Sequence, residues 1–348
     1  MLWNGCNLAL VLPQIGPDCF ASSINDLKQQ LNLGNIIAKM RQPAVNEQDQ
    51  NGTRPRHRIV TDRNEGRTAV FSRLSGAVFR AALVILMIAT PSMMLSSTTM
   101  DTAQIVALIC IASGIFTFVE YNSVSPSLIE FRDAPPFNRV RYFGLTATVL
   151  ALTVIAKGAT EPTTLTVLFN MIGGSLAEAM DFPYSPVRLV VLMLPKEASP
   201  ALIDSVRIAA GLSYLLSLLS LAFFILALRL NNWPNQRGGF NVWTNLPTFD
   251  ATAGGDVVER LERDGQLNLI LGFLLPFLIP AFVKLASDLF NPIQLQDAHT
   301  LIWTMTAWAF IPASLIMRGT AMLRVGQMIA LQRERAYLSA EDEDAVAI

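Results

Sequence analysis

Residues 265–283, GQLNLILGFLLPFLIPAFV, run without a charge between Asp264 and Lys284. A helix of about 20 such residues is what crosses a hydrocarbon core of roughly 30 Å. An all-round apolar helix of that length belongs in a bilayer or deep inside a much larger core. Two prolines, Pro276 and Pro280, sit one helical turn apart within it. Each lacks the amide proton that the carbonyl four residues back would accept, and its ring crowds that carbonyl. The sequence therefore predicts a helix that is kinked or locally unwound inside the membrane.

The rest of the 348-residue chain fits the same setting: 52% of it is hydrophobic and 15% charged, where soluble domains carry about a quarter charged residues. Mean hydropathy is +0.41. With this run included, six uncharged runs are near spanning length, at about 81–97, 103–119, 142–156, 208–228, 267–283 and 298–317. The third is short, but Arg139, Arg141 and Lys157 at its ends have stems long enough to snorkel outward. The expected fold is all-α, a polytopic bundle of six transmembrane helices with added interfacial helices.

Arginines orient it. Arg63, Arg67, Arg73 and Arg80 precede the first run; Arg132, Arg139 and Arg141 follow the second; Arg229, Arg237, Arg260 and Arg263 follow the fourth; Arg318, Arg324, Arg333 and Arg335 follow the sixth. The connection between the first two runs has no basic residue and that between the fifth and sixth only Lys284, so the positive-inside rule places both termini in the cytoplasm. The connection 158–207 is then an extracytoplasmic cap. Its apolar stretch 163–177 would put the arginines after the fourth run on the wrong side if it crossed, so it is expected as an interfacial or re-entrant helix.

Residues 1–74 read as a cytoplasmic, largely disordered basic tail, since NEQDQNGTRPRHR has no apolar periodicity. Met40 begins MRQPAVNEQ, the look of an ordinary bacterial start, so 1–39 are expected to be a start-site artefact. Native N-terminal peptides upstream of Met40 would refute this. Residues 75–317 form the membrane domain. Residues 318–348 are expected as a cytoplasmic amphipathic helix, with Met322, Val325, Met328 and Ile329 as its apolar stripe, and a disordered acidic tail from Glu341 to Asp344. DVVERLERD, 256–264, is expected as an amphipathic elbow with Glu259 paired to Arg263.

Several groups carry candidate chemistry. Pro276, Pro280 and Pro312 mark a transport or hinge site built from freed carbonyls, as in transporters with broken helices. Pro135 and Pro136 in EFRDAPPFNRVR, and Trp243 in GGFNVWTNLPTF, mark loops for a protein partner or an interfacial belt. Gly211, Leu212, Ser213 and Tyr214 resemble the GxS nucleophile motif of the rhomboid intramembrane proteases, also six-helix bundles. That resemblance implies a Ser213–His299 dyad. The family's long first connection with its Trp-Arg feature, and its second-helix His and Asn, have no counterpart here.

Three cysteines, two histidines and no P-loop give no metal, cofactor or nucleotide signature, and no nucleic-acid partner is expected. The lipid bilayer is the expected partner, in a bacterial inner membrane. The function expected is a permease-like or transport-associated component without its own ATPase. The alternatives are a scaffold, assembly factor or accessory subunit, and then a serine protease-like hydrolase.

Overall fold

In a computed structural model, residues 59–234, 240–250, 254–289 and 295–346 are described. The chain divides into two units, Met1–Thr61 and Asp62–Ile348, and everything below concerns the second, apart from the first three residues of the helix that begins at Ile59. The start-site expectation for 1–39 and most of the expected tail lie outside the described residues.

Helix starts follow local capping chemistry. Thr99 opens α2 (Met100–Asn122), accepting from the Thr102 amide, and Arg132 closes it as described below. Thr163 and Thr166 form a capping box on α4 (Thr164–Met180). Two Ser-Pro pairs do the same work: Ser185 caps α5 (Pro186–Leu192) and Ser199 caps α6 (Pro200–Leu230). In both the proline takes the first turn, where its missing N–H costs nothing. The remaining elements are α1 (Ile59–Met94), α3 (Phe137–Gly158), the one-turn α7 (Val242–Asn245), α8 (Val257–Leu289) and α9 (Ala298–Val346), with no strand among the described residues.

Six helices are long and apolar enough to cross a membrane: α1 from Arg73, α2, α3, α6, α8 and α9. Their outer faces carry Ile105, Leu108, Ile115, Phe223, Phe273 and Phe282 in the open. A soluble monomer does not expose apolar surface on that scale, and a bilayer removes the cost.

Four boundaries differ from expectation. Helix α1 begins at Ile59, so the last part of the expected disordered tail is helical. Residues 341–344, expected as a disordered end, continue α9. Nothing after Pro312 breaks the helical repeat, because Gly319 and Gly326 are tolerated where neighbours pack on them, so the sixth span and the expected tail helix are one helix of 49 residues. The elbow 256–264 is likewise continuous with its span, and Arg263 reaches Asp264 (3.8 Å) rather than Glu259.

Helices α8 and α9 are antiparallel and meet backbone to backbone. A Cβ on Gly319 would lie 2.5 Å from the Gly265 carbonyl oxygen, and one on Gly272 2.7 Å from that of Pro312. Small residues at such crossings let dispersion forces act between helices in lipid, where no hydrophobic driving force joins them. The stripe Met322, Val325 and Met328 is buried, and Gly326 beside it faces Leu261 and Val258 of α8. The expected apolar stripe thus packs on α8.

Helix α4 lies lengthwise between α3 and α6. Gly173 faces Ile155 and Ile208, and Gly211 faces the Ala177 backbone, so α4 runs antiparallel to α3 and parallel to α6. At its end Asp181 receives Arg188 (3.3 Å) and Arg207 (2.9 Å).

The core has two parts. One gathers Val149, Leu152, Val187, Val206, Ile302 and Trp308. The other, at the arginine-rich end, gathers Phe131, Phe137, Phe224, Trp233, Leu246 and Met322.

Beyond the membrane segments, Asp256 accepts from Arg333 (2.7 Å) and from the Val258 amide. The arginine first, then the amide, hold its carboxyl below the ordinary aspartate range. A carboxylate depressed in this way keeps its contact at neutral pH and loses it only as pH falls through that lowered value. A spin label at Tyr337, beside this pair, should gain mobility only below about pH 4, near the ordinary aspartate value. In Asp256→Asn it should be mobile at every pH.

Candidate functional site

The strongest polar construction lies where the end of α2 and the start of α3 meet the middle of α9. Glu120 sits in the last turn of α2, where the helix dipole disfavours an acid. Its carboxylate is nonetheless buried, because it accepts from the amides of Ser127 (3.0 Å), Leu128 (3.1 Å) and Ile129 (3.2 Å) and from the Ser127 hydroxyl. Arg132 folds back to the open carbonyls of the same helix end, donating to Glu120 O (2.8 Å) and Ser123 O (2.7 Å). It also pairs with Asp133 (3.1 Å), so the acid in this loop finds its arginine next door.

Phe131 is held at φ 51°, a left-handed conformation costly for a bulky residue. Burial of its ring against Phe137 (4.5 Å) and Trp233 (5.8 Å), and its amide's bond to Asn245 O (2.6 Å), fix it there. The two loops expected to face a partner are thus joined to each other: Leu246 and Phe249 are buried in the same cluster as Phe131. Pro135 is exposed at the tip and Pro136 leads into α3. The side chain of Trp243 lies outside the described residues.

Glu130 closes the arrangement. Arg318 donates to it with two nitrogens, Nε at 2.6 Å and Nη2 at 2.8 Å, the bidentate fit that guanidinium and carboxylate planes favour. Thr248 donates to the same carboxylate, and Asn138 Nδ2 donates to the Glu130 carbonyl (2.7 Å). Beside this lies a cavity of about 480 Å³ between α1, α2, α3 and α9. Its polar wall is Glu130, Arg318, Arg141, Asn138, Tyr121 and Ser314, and its apolar wall includes Val84, Leu145, Phe310 and Leu315.

Comparison with protein-family models, curated proteins and solved structures gives no match. The chemistry rests on these residues.

Other candidates from the sequence fall elsewhere. Helix α8 continues through Pro276 and Pro280. Pro280 frees the Pro276 carbonyl, four residues back, and Trp308 Nε1 donates to it (3.2 Å) from α9. Trp308→Phe should remove this bond, keep the packing, and lower stability by about 1–3 kcal/mol, because the carbonyl would be left unpaired in an apolar interior. Thermal unfolding in detergent reads this, and an unchanged midpoint would refute it.

Ser213 is fully buried and donates back to Ala210 O (3.1 Å). Gly211, before it, gives α4 room to approach. His299 is also buried; its Nε2 meets Thr98 Oγ1 at 3.0 Å and its Nδ1 has no hydrogen-bond partner. Thr98 gives its own proton to Leu95 O (3.0 Å), so the histidine is the donor to it. No hydrogen bond joins Ser213 to His299. Among the described residues no group of three or more His, Cys, Asp or Glu side chains could hold a metal ion.

The sequence marks Arg141 and Arg318 only as orienting charges and Glu130 only as the start of the EFRDAPPFNRVR loop. Arg139 and Arg141 are two positions apart, hence about 200° apart around a helix, so both cannot face outward on one side. Arg139 is exposed and Arg141 half-buried. Asn138, Arg141 and Tyr142 share one face at i, i+3 and i+4, a polar patch on a helix that is largely apolar beyond it.

Proposed function

We propose that the chain is a non-catalytic scaffold or accessory component of a bacterial inner membrane, inserted with both termini in the cytoplasm. The observation that carries this reading is the locked seam of α8 and α9. Glycine contacts close it from Gly265 to Gly272, and Trp308 has already taken the carbonyl that Pro280 frees. A transport site at these prolines needs carbonyls open to a solute and a helix free to move against its neighbour. Burial of Ser213 with a local bond supports a structural serine. The gathering of arginines at one end of the bundle supports the orientation.

A permease-like part in a larger transporter is the second reading. It is favoured by Pro276, Pro280 and Pro312 on facing helices and by a cavity of about 560 Å³ toward the opposite end, lined by Leu152, Ile155, Ile208 and Ile302. The two cavities meet α9 on different sides: Leu301 and Ile302 line one, Ser314 and Arg318 the other. At 3.6 residues per turn these pairs fall on roughly opposite faces, which leaves α9 between them.

Single cysteines in a cysteine-free chain separate the readings. At positions 273–283 none should react with a membrane-impermeant thiol reagent from either side, whereas a run of reactive positions would favour the permease. A cysteine at Lys196 should label in intact cells and one at Arg139 only after permeabilisation; the reverse would overturn the orientation.

A further inference from the structure

We propose that the cavity between α2, α3 and α9 binds a phosphate oxyanion, with Arg141 as its principal ligand. Arg141 lines the cavity with no hydrogen-bond or ion-pair partner inside the described chain. Its guanidinium makes no hydrogen bond and no ion pair there, and Nε is sealed from solvent with nothing to donate to. What it does touch is aromatic: Phe137 at 5.0 Å and Phe310 at 5.8 Å from the ring centroids. Rings hold a cation in place but leave all five N–H groups of a guanidinium unused. A guanidinium N–H sealed from water without an acceptor is costly, and the nearby acids, although Glu130 attracts the charge, give it no hydrogen bond. Glu120 is committed to three backbone amides, and Glu130 to Arg318 and Thr248.

The balance of charge points the same way. Two arginines and one glutamate line the cavity, leaving one positive charge in excess. Arg80 lies close by, 4.7 Å over the ring of Tyr121, and offsets the nearby Glu120, so the excess stays at one. Asn138, Tyr121 and Ser314 supply neutral groups that can donate to further oxygens. An ionised guanidinium, excess positive charge and several neutral donors make a site for a tetrahedral oxyanion rather than a cation or an apolar solute.

The volume of about 480 Å³ is within the range of small-ligand sites and well above what one or two waters need. The cavity lies at the arginine-bearing ends of spanning helices, and half its wall is apolar. Phosphate can reach such a place as the headgroup of an anionic lipid or as a free ion. Recognition by Arg141 is common to both, and holds whichever way the bundle faces and whether or not it belongs to a transporter.

The test uses the full chain purified in phosphate-free, uncharged detergent, with the thermal midpoint followed against three probes. These are phosphatidylglycerol, a diacylglycerol of the same chains, and sodium phosphate. Phosphatidylglycerol should raise the midpoint and the diacylglycerol should not. Arg141→Gln should weaken the half-saturating concentration about ten- to a hundredfold, the range for loss of hydrogen bonds to a charged group. A second variant, Ser314→Leu, keeps every charge and fills the cavity, and should weaken binding as well; it carries the test if Arg141→Gln does not fold. If sodium phosphate reproduces the shift, the site takes the free ion; if only phosphatidylglycerol does, it takes the lipid headgroup. No shift with either phosphate probe, an equal shift with diacylglycerol, or a shift unchanged in both variants would overturn the proposal and leave a water-filled cavity.

Discussion

Glu130→Ala should be among the most damaging single substitutions in the chain, lowering stability by about 2–3 kcal/mol. The carboxylate is almost wholly inside, and it ties together three segments far apart in sequence: its own loop, Thr248 and Arg318 on α9. Removing it does more than delete two hydrogen bonds. Arg318 would stay charged, three-quarters buried, beside Arg141, with only the Thr248 hydroxyl (3.3 Å) left to donate to. Breaking a buried pair from one side is costly because of the charge left behind, whereas replacing both partners by apolar groups is often tolerated. Glu130→Leu combined with Arg318→Met should therefore recover at least half the loss seen with Glu130→Ala. Thermal unfolding of the variants in detergent measures this. A double variant no more stable than Glu130→Ala would mean that the carboxylate acts through its loop and not through Arg318.

The bundle was legible because a bilayer imposes a length and a polarity on each helix that a linear scan can read. Each of the six expected runs lies largely within a long apolar helix. The same scan could not see how helices were extended beyond the membrane. The 49 residues of α9 look like a span, an amphipathic piece and an acidic end only when read by polarity, since no residue between them stops the helix. Glycine roles were legible only in part. Gly211 was read with Ser213 as a nucleophile motif, but its missing side chain makes room for the Ala177 backbone, a contact that depends on where α4 lies. The polar cluster was hidden for a related reason. Glu130, Thr248 and Arg318 are separated by 118 and 70 residues, and no local pattern links them. Arg141 was open to detection from its helical patch, but the assumption that an arginine at a helix end snorkels outward concealed it.

Gly319→Val should disrupt the α8–α9 seam with a loss of about 1–3 kcal/mol or more. The new Cβ would lie 2.5 Å from the Gly265 carbonyl oxygen and 3.1 Å from the Leu269 amide nitrogen. Both are backbone atoms, so no side-chain rotation relieves the clash and the helices must part. Acyl chains are as apolar as the surfaces exposed, so what is lost is the close dispersion contact of two backbones, which flexible chains replace only in part. Gly174 is the control: a Cβ there meets nothing within 4 Å, so Gly174→Ala should change stability by no more than about 0.5 kcal/mol. If the seam is one unit, parting it at Gly319 should also draw Trp308 away from the Pro276 carbonyl, although the two contacts lie eleven residues apart on α9. Gly319→Val combined with Trp308→Phe should then cost less than the sum of the two, whereas independent sites at that separation would add to within about 0.5 kcal/mol. Strict additivity would mean that the proline-bearing half of α8 moves independently of its glycine-bearing half, and that would restore the case for a gate at Pro276 and Pro280.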